Sequence, residues 1–206
     1  KDDEILITPL EHHSNQLPWA AKVNVRYVPL RPDGLPDSDR LRDLVTPQTK
    51  LMGVGLLSNV TGTRGDVEIW RQVATERNVP LLLDASQAGG HMPMDVQELG
   101  CDFLAFSGHK VCGPSGIGVL WGRREWLERM VPPLLGGGMV HESRMDGYTV
   151  KEVPWCFEAG TPNVEGAMGL AAALEFMESV GMSNVEAHSK SLGRRLYDGV
   201  KNNPRL

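Results

Sequence analysis

Two short, uninterrupted apolar runs limit what this chain can fold into. Val79 to Leu83 ends in Asp84-Ala-Ser-Gln87, and Phe103-Leu-Ala-Phe106 ends in Ser107-Gly-His-Lys110. A strand without polar alternation has both faces covered, as in parallel sheets packed between helices. Upstream, Val67 to Arg77 reads as an amphipathic helix with Ile69, Trp70, Val73 and Ala74 on one side. Strands alternating with helices predict an α/β fold on a mainly parallel sheet. In such a sheet the polar residues that follow strand ends gather along one edge. Here those are Asn59, Asp84, Gln87 and Ser107 to Lys110. That edge is where open α/β sheets bind ligands.

The rest of the chain fits the same scheme. Ile5 to Thr8 reads as a short buried strand, Glu11 to Lys22 as a helix complicated by Pro18, and Val23 to Leu30 as an alternating strand. Asp37-Ser-Asp39 can cap a helix from Arg40 to Val45. Lys50 to Leu57 is a strand ending in the turn Ser58-Asn-Val-Thr-Gly62, Asp95 to Leu99 a short helix, and Asp102 to Phe106 and Gly118 to Trp121 further strands. Beyond residue 130 the texture changes. Gly136-Gly-Gly138 leads into a polar stretch, Met139 to Val153, read as a hairpin or a mobile loop. Helices from Val164 to Val180 and from Asn184 to Lys201 follow, with Gly181 where a helix stop belongs.

Composition narrows the function classes. The 206 residues are 41% hydrophobic, enough for a sizeable core, with 21 basic and 26 acidic side chains giving a net charge of -5. No Lys/Arg block favours nucleic acid or an anionic membrane, and no apolar run approaches membrane-spanning length. Cys101, Cys112 and Cys156 are an odd number without CxxC spacing, which points to a reducing, cytoplasmic setting and buried structural thiols. The Trp and Phe residues beside Cys156 read as core. His12, His13, His109 and Cys112 have no recognised metal-ligand spacing, so no metal is expected. The chain has no initiator methionine and stops at Asn203-Pro-Arg-Leu206, where a new strand can start. It is read as an internal piece of a longer protein.

Lys110 and Asp84 each stand at the end of an apolar strand. An amine and a carboxylate so placed are what a pyridoxal phosphate enzyme needs. The lysine bonds to the cofactor, and the acid keeps the ring nitrogen protonated. The ordinary alternatives are a snorkelling lysine and a helix N-cap.

Four motifs occur in order: Glu11-His-His-Ser-Asn15, Asp84-Ala-Ser-Gln87, Ser107-Gly-His-Lys110 with Gly113-Pro114-x-Gly116-x-Gly118, and Phe157-Glu-Ala-Gly-Thr161-Pro-Asn163. Together they closely resemble the cysteine desulfurases of the class V aminotransferase family. The segment from Gly136 through Met139-Val-His-Glu to Pro154-Trp155 is similar to that family's second group. This group holds the SUF-type cysteine desulfurases, cysteine sulfinate desulfinase and selenocysteine lyase.

The resemblance implies a fold type I pyridoxal 5'-phosphate enzyme. Residues 1–163 form the cofactor-binding large domain, and 164–206 carry linking helices and the start of a smaller C-terminal α/β domain. Lys110 holds the cofactor and moves the substrate Cα proton. Asp84 pairs with the pyridine nitrogen, Gln87 with the phenolic oxygen, and His12, the second catalytic residue, stacks on the ring and can exchange protons; His13 has no such assignment. Ser107 and His109 are phosphate ligands. Asn59 lies near the substrate carboxylate and cofactor, and Thr161 reaches the cofactor phosphate of a neighbouring subunit in a homodimer. The reaction implied takes sulfur, sulfinate or selenium from a cysteine-type amino acid, leaves alanine, and passes sulfur to an acceptor protein for iron–sulfur cluster assembly. The alternatives are another class V enzyme (C–S lyase, kynureninase-like or epimerase) and an inactive truncated scaffold. Three family features find no match in these residues: the sulfur-accepting cysteine near Arg-x-Gly-x-His-Cys, the arginine that grips the substrate carboxylate, and a glycine/threonine phosphate turn before residue 1.

Overall fold

A computed structural model describes residues 2–203. Its centre is a six-stranded sheet of β1 (Glu4–Ile7), β2 (Asn24–Tyr27), β3 (Thr49–Gly55), β4 (Leu81–Asp84), β5 (Phe103–Ser107) and β6 (Gly118–Gly122), in the order β2-β1-β3-β4-β5-β6. Every neighbouring pair is parallel except β5 with β6, which run antiparallel. The expected mainly parallel α/β sheet is therefore present. Its register matters for function. Gly55 pairs with Asp84, and Asp84 with Ala105, so the ends of β3, β4 and β5 come to one edge.

The helices are α1 (Leu17–Ala20), α2 (Leu41–Leu44), α3 (Val67–Arg77), α4 (Val96–Leu99), α5 (Arg124–Leu127), α6 (Val164–Val180) and α7 (Met182–Val200). α3 has the bounds its periodicity predicts. It buries Trp70, Val73 and Ala74 and stops at Asn78, whose left-handed φ of 51° lets its N–H reach the carbonyls of Ala74 and Thr75. Those side chains share one core cluster with Leu6, Met52, Val54, Leu81, Leu83 and Leu104 from the sheet. Asp95 caps α4 by accepting from Gln97 N and Glu98 N. The stretch after Met139 is a hairpin of β7 (Val140–Arg144) and β8 (Gly147–Val150), a separate two-stranded sheet.

Several expectations need correction. Glu11 to Lys22 is not one helix; a 3-10 turn, His13–Asn15, precedes the single turn of α1. Pro18 lacks an N–H and is tolerated only in a first turn, so the helix restarts around it. The helix expected from Arg40 begins one residue later, after a 3-10 turn Ser38–Arg40, and Asp37 makes no side-chain cap. The run Val79 to Leu83 forms a strand only from Leu81, following Pro80; Leu81 and Leu83 are fully buried while Leu82 is half-buried. α7 starts at Met182, directly after Gly181. Cys112 is exposed rather than packed, its Sγ 3.7 Å from Met177 Sδ. Trp155 is 58% exposed, although Cys156 beside it is buried. The strand start suggested at Asn203 to Leu206 runs into residues 204–206, outside the described residues. Among the described residues no helix is long and apolar enough to cross a membrane.

α6 positions the functional edge from outside the sheet. It buries Gly166, Leu170, Ala173 and Met177, a stripe of helical spacing. A Cβ on Gly113 would come within 3.1 Å of Leu170 Cδ1, and one on Gly169 within 3.1 Å of Pro114 Cγ. The helix therefore rests directly on the loop that follows Lys110.

Candidate active site

A cavity of about 360 Å³ opens at the C-terminal edge of the parallel strands. That volume is in the range of small-molecule sites. Lys110, Asp84, Gln87, His12 and Asn59 all contribute to its wall. Residues 98 positions apart in sequence thus meet because the strands that carry them end at the same level.

Lys110 closes a 3-10 turn, Gly108–Lys110, just past β5, and is half-buried. Two close backbone approaches seat it. A Cβ on Gly90 would strike the Lys110 carbonyl oxygen, and one on Gly108 would lie 2.8 Å from Ile117 Cγ2 and 2.9 Å from Ile117 O. Only glycine lets the chain pass that near.

Asp84 ends β4. Its Oδ1 accepts from Ser86 N at 2.8 Å, a local turn bond of the kind an aspartate makes at a strand end. Oδ2 has no partner among the described residues, so half of the carboxylate is available to the cavity. The Gln87 and Asn59 side chains make no hydrogen bond among the described residues either. Asn59 sits in the turn closed by Ser58 N to Thr63 O at 2.9 Å. His12 is exposed and holds its Nδ1 near Ser14.

Three predicted site residues lie apart. Ser107 is half-buried and His109 exposed beside Lys110, and neither lines the cavity. Thr161 is exposed in the loop between the hairpin and α6. None of the three cysteines lines the cavity. Burial pushes the Cys101 thiol up to about 11, which removes it as a nucleophile at neutral pH.

Glu11, the first residue of the Glu11-His-His-Ser-Asn15 motif, is central to the site. It lines the cavity, accepts from Thr8 Oγ1 at 2.6 Å and Gly55 N at 3.0 Å through Oε1, and accepts from Asn15 Nδ2 at 2.8 Å through Oε2. Asn15 is buried and passes the chain on, its Oδ1 accepting from Trp19 Nε1 at 3.0 Å. One carboxylate thereby ties the end of β1 to the end of β3 and to the turn that carries His12. The Thr8-x-x-Glu11 spacing, that of a capping box, is the sequence signal for it. Arg31 and Arg64 also reach the cavity wall, paired with Asp33 at 3.1 Å and Glu186 at 3.3 Å.

Burial raises the Glu11 pKa above its ordinary 4.5; its three hydrogen bonds pull it back, and the charge of Asp84 adds to the rise. A carboxyl whose pKa is higher folded than unfolded contributes stability that is present below its unfolded pKa. That contribution is lost as pH climbs through the raised value. Relative to Glu11→Gln, the wild type is therefore expected to lose ground as pH rises from about 4 towards neutrality. Urea midpoints of both proteins across that range check it; a constant difference contradicts the assignment.

The residues suit pyridoxal 5'-phosphate. A half-buried lysine, a carboxylate oxygen and two side-chain amides without partners among the described residues, and an imidazole share a cavity large enough for one small ring. This donor set matches a cationic heteroaromatic carrying an aldehyde.

Comparison with known proteins agrees with the geometry. The sequence model of the aminotransferase class-V family matches residues 1–206. A probable cysteine desulfurase of Halalkalibacterium halodurans is 43% identical over 201 residues, covering 95% of this chain and 50% of the relative. The crystal structure of the cysteine desulfurase CsdA from Escherichia coli superposes with a TM-score of 0.94 at 43% identity, covering 98% of this chain and 52% of that one. The apo cysteine desulfurase from Thermococcus onnurineus gives 0.92 at 37% identity, with the same coverage of 98% and 52%. The chain spans about half the length of the curated relatives it matches.

Proposed function

Since the chain belongs to the class-V aminotransferase family, we propose that the full-length protein is a pyridoxal 5'-phosphate-dependent cysteine desulfurase that removes sulfur from cysteine and leaves alanine. The observation that carries this reading is the meeting of Lys110 and Asp84 in one cavity at the sheet's ligand-binding edge.

Lys110 would hold the cofactor through Nζ, with Asp84 beside the ring nitrogen, Gln87 donating to the phenolic oxygen and His12 offering a flat imidazole to the ring face. When bound, the cofactor supplies an electron sink for the pair left on the substrate Cα. The side chains do the rest. Lys110 Nζ takes the Cα proton, and its place on a glycine-gated turn keeps that nitrogen in reach. Asp84 keeps a positive charge favourable next to it. Ser107 and His109 would hold the phosphate, Asn59 would lie near the substrate carboxylate and cofactor, and Thr161 would reach the cofactor phosphate of a second subunit in a homodimer. Residues 1–163 serve as the cofactor domain, and 164–206 lead into a smaller one. Cys101, Cys112 and Cys156 line no part of the cavity, so the sulfur acceptor is a thiol elsewhere in the full-length protein or on a partner. Three free cysteines and no disulfide support a reducing, cytoplasmic setting, where the sulfur would feed iron–sulfur cluster assembly.

Full-length protein given cysteine and a thiol reductant should release alanine and sulfide in equal amounts. Release of alanine only from cysteine sulfinate or selenocysteine would move the substrate within the same group. Absence of alanine from all three would end the reading.

A further inference from the structure

His12 precedes the 3-10 turn His13–Asn15 with extended backbone (φ -63°, ψ 148°), and its ring folds back on that turn. The Ser14 amide donates to His12 Nδ1 at 3.2 Å, and Ser14 Oγ lies 2.8 Å from the same nitrogen. A backbone N–H can only donate. That contact requires Nδ1 to accept, and a neutral ring accepting there carries its hydrogen on Nε2. Nε2 has no partner among the described residues.

Among the described residues no other group is hydrogen-bonded to the His12 ring. The His13 ring is 6.0 Å away and tilted by 36°. The charged groups that share the cavity with His12 are Glu11, Asp84, Lys110, Arg31, Arg64 and Asp66. None of them is hydrogen-bonded to His12. Glu11 is spent on Thr8, Gly55 and Asn15; it fixes the main chain under His12 and leaves the ring to Ser14.

We propose that Ser14 is a positioning residue for His12: its amide holds Nδ1 as an acceptor, so that the imidazole presents an Nε2–H donor to the cavity. This rests on the reading that His12 faces the cofactor and substrate. A ring held this way can hydrogen-bond an anionic sulfur. It cannot take a thiol's proton on Nδ1 without losing its bond from the Ser14 amide. His12 therefore steadies a departing thiolate and is not the base that deprotonates the incoming thiol.

The test uses full-length holoprotein labelled with 15N-histidine. Long-range proton–nitrogen correlations identify the tautomer, and the His12 signal is assigned by its disappearance in His12→Gln. The expected spectrum shows a bare Nδ1 and a protonated Nε2. Ser14→Pro removes the amide hydrogen and should shift the tautomer ratio about fivefold toward Nδ1–H, the worth of one ordinary hydrogen bond. Ser14→Ala keeps the amide and should leave the tautomer as it is. Ser14 is exposed and its N–H bonds the His12 ring, so neither substitution removes a backbone bond of the turn. A protonated Nδ1 in the wild type, or a ratio unchanged in Ser14→Pro, overturns the proposal. Visible cofactor absorbance of the same samples keeps the two readings apart. Absorbance with the wrong tautomer sinks only the role of Ser14, whereas no absorbance sinks the cofactor reading and leaves the tautomer measurable.

Discussion

Lys110→Ala in the full-length protein is expected to remove the visible absorbance of bound cofactor and to lower alanine formation from cysteine by at least about 100-fold, the smaller end of what a positioned acid–base group contributes. The substitution deletes the amine that would bond the cofactor and the base that would move the Cα proton. It leaves the turn's backbone unchanged, because Gly108 and Gly90 set that path. A variant that folds, keeps the absorbance and turns over at the wild-type rate would show that Lys110 is a structural lysine at a strand end. Absorbance measured on purified protein, with alanine quantified after incubation, decides between the two.

Trp70→Ala is expected to cost about 3–5 kcal/mol of stability, the range for an aromatic side chain deleted from a packed core. Trp70 is 1% exposed and belongs to the cluster that joins α3 to the sheet. It also contributes to the wall of the cavity. The cavity left by its removal adjoins the site, so cofactor retention should fall along with the urea midpoint. Trp70→Phe, which keeps most of the volume, should lose less of both. A loss under about 1 kcal/mol would mean that the neighbouring side chains close over the gap and that α3 is held by other contacts.

The sheet and its ligand edge were legible because they depend on local pattern. An apolar run long enough for a strand and then a polar tip identifies a strand end whatever it packs against. Val67 to Arg77 was legible for the same reason: its 3.6-residue stripe carries its own evidence, and Asn78 stops it by local backbone geometry. The short helices around Pro18 and Arg40 depart from their expected bounds. In a segment of four residues a proline or a competing 3-10 turn outweighs periodicity. Cys112 and Trp155 are exposed against expectation because residue type predicts burial only on average. Cys112 adopts a left-handed φ of 63° in the turn after Lys110 and is exposed there.

By itself, the sequence determined the fold class, the strand ends that carry Asp84 and Lys110, and the chemistry those two groups can support. Tertiary structure decided which polar residues share a cavity. It brought His12 to the edge where Asn59 and Gln87 are expected beside Lys110, left Ser107 and His109 off the wall, and made Glu11 the knot between β1, β3 and the His12 turn. The reason is physical. Periodicity and turn chemistry act over a few neighbouring residues and are written in order along the chain. A buried carboxylate instead takes whichever donors the packed backbone brings within about 3 Å. Glu11 and Gly55 are neighbours only once the sheet has formed.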